Sequence, residues 1–164
     1  LARRYHIAFT GAPTPDGAAF LEEETGVPFA HLDMRDWFCA TAYNEHDAIV
    51  GVLLAEPRNW FDWHLSVAIA DQQFMTRRLL RAIFKTLFTR ARRITALVEP
   101  HNERALRQVV RMGFIYEGFC RCGIEGARDA YVFGMLPDDC RFLPGVRAAG
   151  TVQKIDITGE PLHG

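Results

Sequence analysis

One 28-residue stretch, Ile94–Arg121, restricts the fold more than any other part of the chain. It reads ITALVEPHNERALRQVVRMGFIYEGFCR. Ile94–Val98 is a short run with β-branched residues, the signature of a strand. Asn102–Met112 then places Ala105, Leu106, Val109 and Val110 at helical spacing, so that one face turns inward. Gly113 suits the left-handed position that stops a helix. Phe114–Cys122 follows as another strand. Strand, helix and strand in so few residues predict an α/β arrangement. They also set two polar residues, Glu99 and Asn102, at the strand-to-helix junction, where a ligand can reach them.

The rest of the chain fits the same pattern. Tyr5–Phe9 reads as a short strand and Gly11–Gly17 as a loop. Asp16 is expected to cap a helix running to about Glu24, with Gly26 and Pro28 ending it. Asp36–Tyr43 and Ala48–Glu56 are strand-like runs joined by the turn Asn44-Glu-His-Asp47, and Pro57-Arg-Asn breaks the second. Trp63–Ala70 is a third strand. From Thr76 to about Ala91 the period changes. Leu79, Leu80, Ile83, Phe84, Leu87 and Phe88 then mark a helix with one buried face, capped by Thr76. Phe114–Cys122 and Ala130–Met135 close the pattern around a turn at Gly123–Ala127. One α/β (α+β) domain over residues 1–136 results, followed by a tail at 137–164 in which Val152–Ile157 could form one more strand.

Composition removes several function classes. With 164 residues, 49% hydrophobic and 24% charged, the chain has the make-up of one globular domain. Arg77, Arg78, Arg81, Lys85, Arg90, Arg92 and Arg93 form a basic series, but the net charge of −1 argues against nucleic acid as a partner. No apolar run is long enough to span a membrane, and the N-terminus shows no long apolar segment of a secretory signal. Cys39, Cys120, Cys122 and Cys140 form no C-x-x-C pair, and no metal-ligand spacing is visible. They read as reduced thiols of a cytoplasmic protein, with Cys120 and Cys122 expected on one face of their strand.

Asn102-x-x-Ala105-Leu106, then Met112-Gly113-Phe114, then Glu117-Gly118-x-x-Arg121, resembles the ordered signature of the GNAT family of acyl-CoA N-acyltransferases. The branch resembled is that of the ribosomal-protein N-acetyltransferases. The resemblance covers roughly residues 36–136. It implies a single mixed, mostly antiparallel sheet with helices on both faces. It implies acetyl-CoA as cosubstrate and a small-molecule or protein amine as acceptor, with a homodimer open. In this family the cofactor lies where two parallel strands splay, here the strands at Trp63–Ala70 and Ile94–Glu99. Val67, Ala68 and Ile69 would then offer backbone groups to the pantetheine amides. Met75, Thr76, Arg77 and Arg78, at the start of the first long helix, would meet the pyrophosphate. Asn102 would contact the pantetheine arm, or serve only as a helix cap.

Two positions depart from the family pattern. Phe74 and Thr76 stand where glycines of the phosphate loop would align, and Val109 stands where many members carry a tyrosine acid. These departures make a catalytically degenerate binding module the alternative reading. For catalysis, an ammonium must lose a proton before it can attack a thioester. Glu56, His64 and Glu99 are the candidate bases, with Asp62 beside them. His64 could equally be a hydrogen-bonded structural residue, and Glu99 could cap the helix or pair with Arg104. Trp37, Phe38 and Trp63 read with Trp60 and Phe61 as core packing and a loop anchor, or the last two as an acceptor wall. Glu117 and Arg121 are expected to pair or shape the sheet.

Overall fold

Each helix begins where a side chain can take up a backbone N–H that has no partner within the helix. In the computed structural model, which describes residues 5–29 and 36–145, Thr14 caps α1 (Pro15–Thr25), with its side chain accepting from Gly17 N at 3.2 Å. Asp16 was the expected cap but lies inside the first turn. The reason is Pro15, whose fixed φ favours the first helical position and so sets the cap at Thr14, two residues before Asp16. Gly26, at φ 66°, ends the helix. Thr76 caps α2 (Arg77–Leu87) and Asn102 caps α3 (Glu103–Met112), both as the sequence indicates. Gly113 adopts φ 97° after α3 and donates back into its last turn, while Phe114 N reaches Val109 O at 3.2 Å. Val152–Ile157, the proposed extra strand, lies outside the described residues.

The chain divides into two compact units, residues 1–92 and 93–164. In the first, β1 (His6–Thr10), β2 (Phe38–Tyr43), β3 (Ile49–Pro57) and β4 (Asp62–Ile69) pair in chain order, every pairing antiparallel. The expected hairpin turn forms between β2 and β3, where Asn44 Oδ1 accepts from His46 N and Ala48 N. β3 ends where Pro57-Arg-Asn was expected to break it. Pro57 is the last residue of the strand and stands opposite Trp63. The core on one face joins Leu21 of α1 to Trp37, Cys39, Val52, Leu54 and Ala68. Burial pushes the Cys39 thiol above its ordinary value, which keeps it protonated and inert. α2 buries Leu80, Ile83, Phe84 and Leu87 as its periodicity requires, but ends at Leu87 rather than near Ala91.

In the second unit β7 (Arg128–Met135) lies between β5 (Arg93–Val98) and β6 (Ile115–Ile124), again antiparallel throughout. α3 buries Val109 and Met112, with Ala105, Leu106 and Val110 half-buried. The register of β6 shifts between Cys120 and Ile124, and Cys122 takes φ 52°. The simple alternation that would put Cys120 and Cys122 on one face is therefore broken. All four thiols are free.

Gly134 sits in mid-β7, opposite Thr95 on one side and Ile115 on the other. Arg93 and Glu117 reach across it from the flanking strands and form a two-pronged ion pair, with Nη1 donating to Oε1 at 2.8 Å. A Cβ at Gly134 would lie 2.3 Å from Glu117 Oε1 and 2.7 Å from Arg93 Nη2, so the missing side chain makes room for the pair. The Arg93 guanidinium holds the Glu117 carboxyl below its ordinary value. A lowered carboxyl contributes stability above the unfolded-state value, and loses it as pH falls through the folded-state one. Denaturant midpoints should thus hold steady down to about pH 5 and fall as pH drops further, below the ordinary carboxyl range, in the wild type. Glu117→Gln and Gly134→Ala should each flatten that fall, and an unchanged slope in both would remove the pair from the stability of this unit.

Candidate active site

The approach to α2 is the most tightly tied loop of the first unit. After β4, Ala70 N and Asp71 N both donate to Val50 O, at 2.9 and 3.2 Å. The Asp71 carboxylate accepts from Gln73 N at 3.0 Å and from the Tyr5 hydroxyl at 2.8 Å. Phe74 is buried and lays its ring on Gly51 of β3. A Cβ at Gly51 would lie 2.2 Å from Phe74 Cζ. Thr76 Oγ1 then accepts from Leu79 N at 3.2 Å to start α2.

Phe74 turns into the sheet instead of outward, and the glycine that permits close approach is Gly51, on the strand beneath. An isolated glycine inside an apolar strand signals such an approach, and it is the mark by which Gly51 could have been found in the sequence. The Tyr5–Asp71 tie links positions 66 residues apart and had no local signal. Arg77 and Arg78 are exposed in the first turn of α2, which holds no acidic residue, and Arg81 follows on the surface. A capped helix start with cations and no carboxylates favours an anion. Met75, half-buried, donates its N–H to Gln72 O. Val67, Ala68 and Ile69 pair with Leu53, Val52 and Gly51 along one edge of β4, and the Ala68 side chain is spent in the core.

The three expected bases separate. Glu56 and His64 stand directly opposite on β3 and β4, and Glu56 Oε1 lies 3.0 Å from His64 Nδ1. Both are partly buried, with 29% and 17% of the side chain exposed. Glu99 instead belongs to the second unit, where it forms an ion pair with Arg128, which also approaches Glu125 at 3.7 Å. The expected Glu99 partner was Arg104. Arg128 reaches Glu99 from β7, beyond any local reading of the sequence. Trp37, Phe38 and Trp63 are buried, as core packing requires. Trp60 is 73% exposed in the β3–β4 loop, with the Arg92 guanidinium 5.3 Å above its ring.

Asn102 does cap α3: its Oδ1 accepts from Ala105 N at 3.0 Å. The residue is exposed. Because the cap uses only the carbonyl oxygen, the amide nitrogen keeps two N–H donors for another group.

No family model and no curated protein matches the sequence. Solved structures do match its fold. A GNAT family acetyltransferase from Elizabethkingia anophelis with acetyl-CoA bound aligns with a TM-score of 0.60 at 14% identity, covering 82% of this chain and 97% of that one. The spermidine/spermine N-acetyltransferase of Vibrio cholerae aligns at 0.58 and 13%, covering 81% and 95%. The ribosomal-protein-S5-alanine acetyltransferase of Vibrio fischeri aligns at 0.56 and 15%, covering 84% and 95%. The chain has the GNAT acetyltransferase fold. The fold class expected from Asn102, Gly113-Phe114 and Glu117-Gly118 is therefore the one found, and within this GNAT fold Phe74 over Gly51 is the local departure that shapes the loop before α2.

Forcing a Cβ against the Phe74 ring should overpack the site. Gly51→Ala should lower the unfolding free energy by roughly 1–3 kcal/mol, and by clearly less in a Phe74→Leu background, because the two sites are coupled through contact. Denaturant titration of the four chains measures this; equal costs in both backgrounds would contradict the contact.

Proposed function

We propose that this chain is an acetyl-CoA-dependent N-acetyltransferase acting on a primary amine. The observation that carries the reading is the start of α2. An 11-residue helix capped by Thr76, with Arg77 and Arg78 in its first turn and no acidic residue there, suits a pyrophosphate. Phe74 does not obstruct it, because its ring is seated on Gly51. The fold supports the same reading, since one solved neighbour holds acetyl-CoA. Val67, Ala68 and Ile69 would offer backbone groups to the pantetheine, with Met75 beside them. Asn102 would donate from the amide nitrogen that its cap leaves available.

Bound acetyl-CoA would supply an activated acyl carbon: the amine nitrogen would bond to it, the C–S bond would break with its electron pair going to sulfur, and the second N–H proton would pass through solvent to the thiolate. The chain's own task is to orient the amine and to take its proton. The leaving thiolate is mildly basic, with a thiol reference pKa of about 8.5, so solvent can protonate it. That matters because Val109, standing where many family members carry tyrosine, is buried in α3 and offers no acid. The same Val109 favours the second reading, a GNAT-fold module that binds the cofactor without turning it over. The acceptor is a small-molecule or protein-borne amine. Four free thiols accord with a reducing, cytoplasmic setting.

Calorimetry should give acetyl-CoA binding well below millimolar, and an amine panel should give acetylated product by mass spectrometry. Absence of binding at millimolar cofactor would defeat the proposal, and binding without turnover would favour the module. Asn102→Ser should separate cap from contact. Serine preserves the helix cap to within a few tenths of a kcal/mol, so stability should hold while acetyl-CoA affinity falls several-fold. Unchanged affinity would return Asn102 to the cap alone.

A further inference from the structure

Among the described residues, one buried side-chain nitrogen or oxygen has no hydrogen-bond partner, and it is Nε2 of His64. The other ring nitrogen, Nδ1, is 3.0 Å from Glu56 Oε1. A carboxylate only accepts, so Nδ1 carries the proton in this pair. That leaves two states for Nε2. If protonated, the ring would bury an N–H with no acceptor; if neutral, it presents a lone pair with no donor. With Nδ1–H turned to Glu56, the neutral ring carries its basic lone pair on Nε2, the atom left without a partner.

We infer that His64 Nε2 is the base that takes the proton from the acceptor ammonium, and that Glu56 is the positioning residue that fixes its tautomer. This rests on the acetyltransfer reading above. In the step, an N–H bond of the ammonium breaks and the Nε2–H bond forms, while the electron pair stays on the amine nitrogen for the attack. Glu56 then faces an imidazolium through Nδ1–H, which stabilises the charge just gained. The proton returns to solvent after the amide has formed. The arrangement is set by backbone register. Glu56 and His64 are opposite residues of adjacent antiparallel strands, so their geometry is held by the ladder and not by loop conformation. Glu99 cannot substitute from its ion pair with Arg128.

Two readouts test this, one independent of turnover. Long-range ¹H–¹⁵N spectra of the His64 ring should show the Nδ1–H tautomer in the wild type, moving toward Nε2–H in Glu56→Ala. A wild-type ring already in the Nε2–H form would overturn the assignment. In kinetics, His64→Gln should lower kcat by about 10²-fold or more, the usual worth of a positioned base, with acetyl-CoA affinity by calorimetry and the unfolding midpoint unchanged. Glu56→Gln should lower kcat by a smaller factor, also without a change in cofactor affinity. Should His64→Gln fold poorly, His64→Asn serves in its place. An active wild type matched by these His64 variants would overturn the base assignment alone. A wild type that binds acetyl-CoA but acetylates no amine would overturn the transfer reading and the base assignment together.

Discussion

The register of β3 against β4 is the constraint on which most of the first unit depends. It runs from Gly51 opposite Ile69 to Pro57 opposite Trp63. Side chains alternate faces along a strand, so a slip by one residue would turn every one of them over. Glu56 would then leave His64, and Val52, Leu54 and Ala68 would leave the core they share with Leu21 of α1. Gly51 would also move from beneath Phe74. One ladder thus aligns the Glu56–His64 pair at one end and seats the approach to α2 at the other.

The hairpin loop helps hold this register. Asn59 Oδ1 accepts from Phe61 N and Asp62 N, and Asp62 O accepts from Arg58 N and Asn59 N. At the far end Val50 O accepts from both Ala70 and Asp71. The loop before α2 is then tied by the Tyr5 hydroxyl to Asp71 and by Phe74 to Gly51. A glycine-rich phosphate loop would gain close approach through a bare backbone. In this chain the bulky residue Phe74 instead turns inward over Gly51 of the neighbouring strand.

Sequence periodicity and capping chemistry were enough to place α2 and α3 with their caps, because those signals are local. Thr76, Asn102 and Gly113 each act within four residues of their own position. α1 starts two residues before the start that Asp16 suggests, because Thr14-Pro15 is the stronger cap signal. What could not be read locally were the partners. Glu99 meets Arg128 and Arg93 meets Glu117 across strands, 29 and 24 residues apart. Glu56 and His64 were each recognisable as titratable groups near strand ends. Their pairing needed the register of β3 against β4, which no local pattern states. Nor does a sequence reveal that Nε2 of a histidine is left without a partner.

The account of α2 as an anion-receiving helix start is tested most directly by a crystal structure with acetyl-CoA. The pyrophosphate is expected within hydrogen-bond distance of the first-turn backbone of α2 at Arg77 and Arg78, with Phe74 still seated on Gly51. A cofactor whose phosphates lie away from that turn, or a Phe74 ring swung out to admit them, would contradict it.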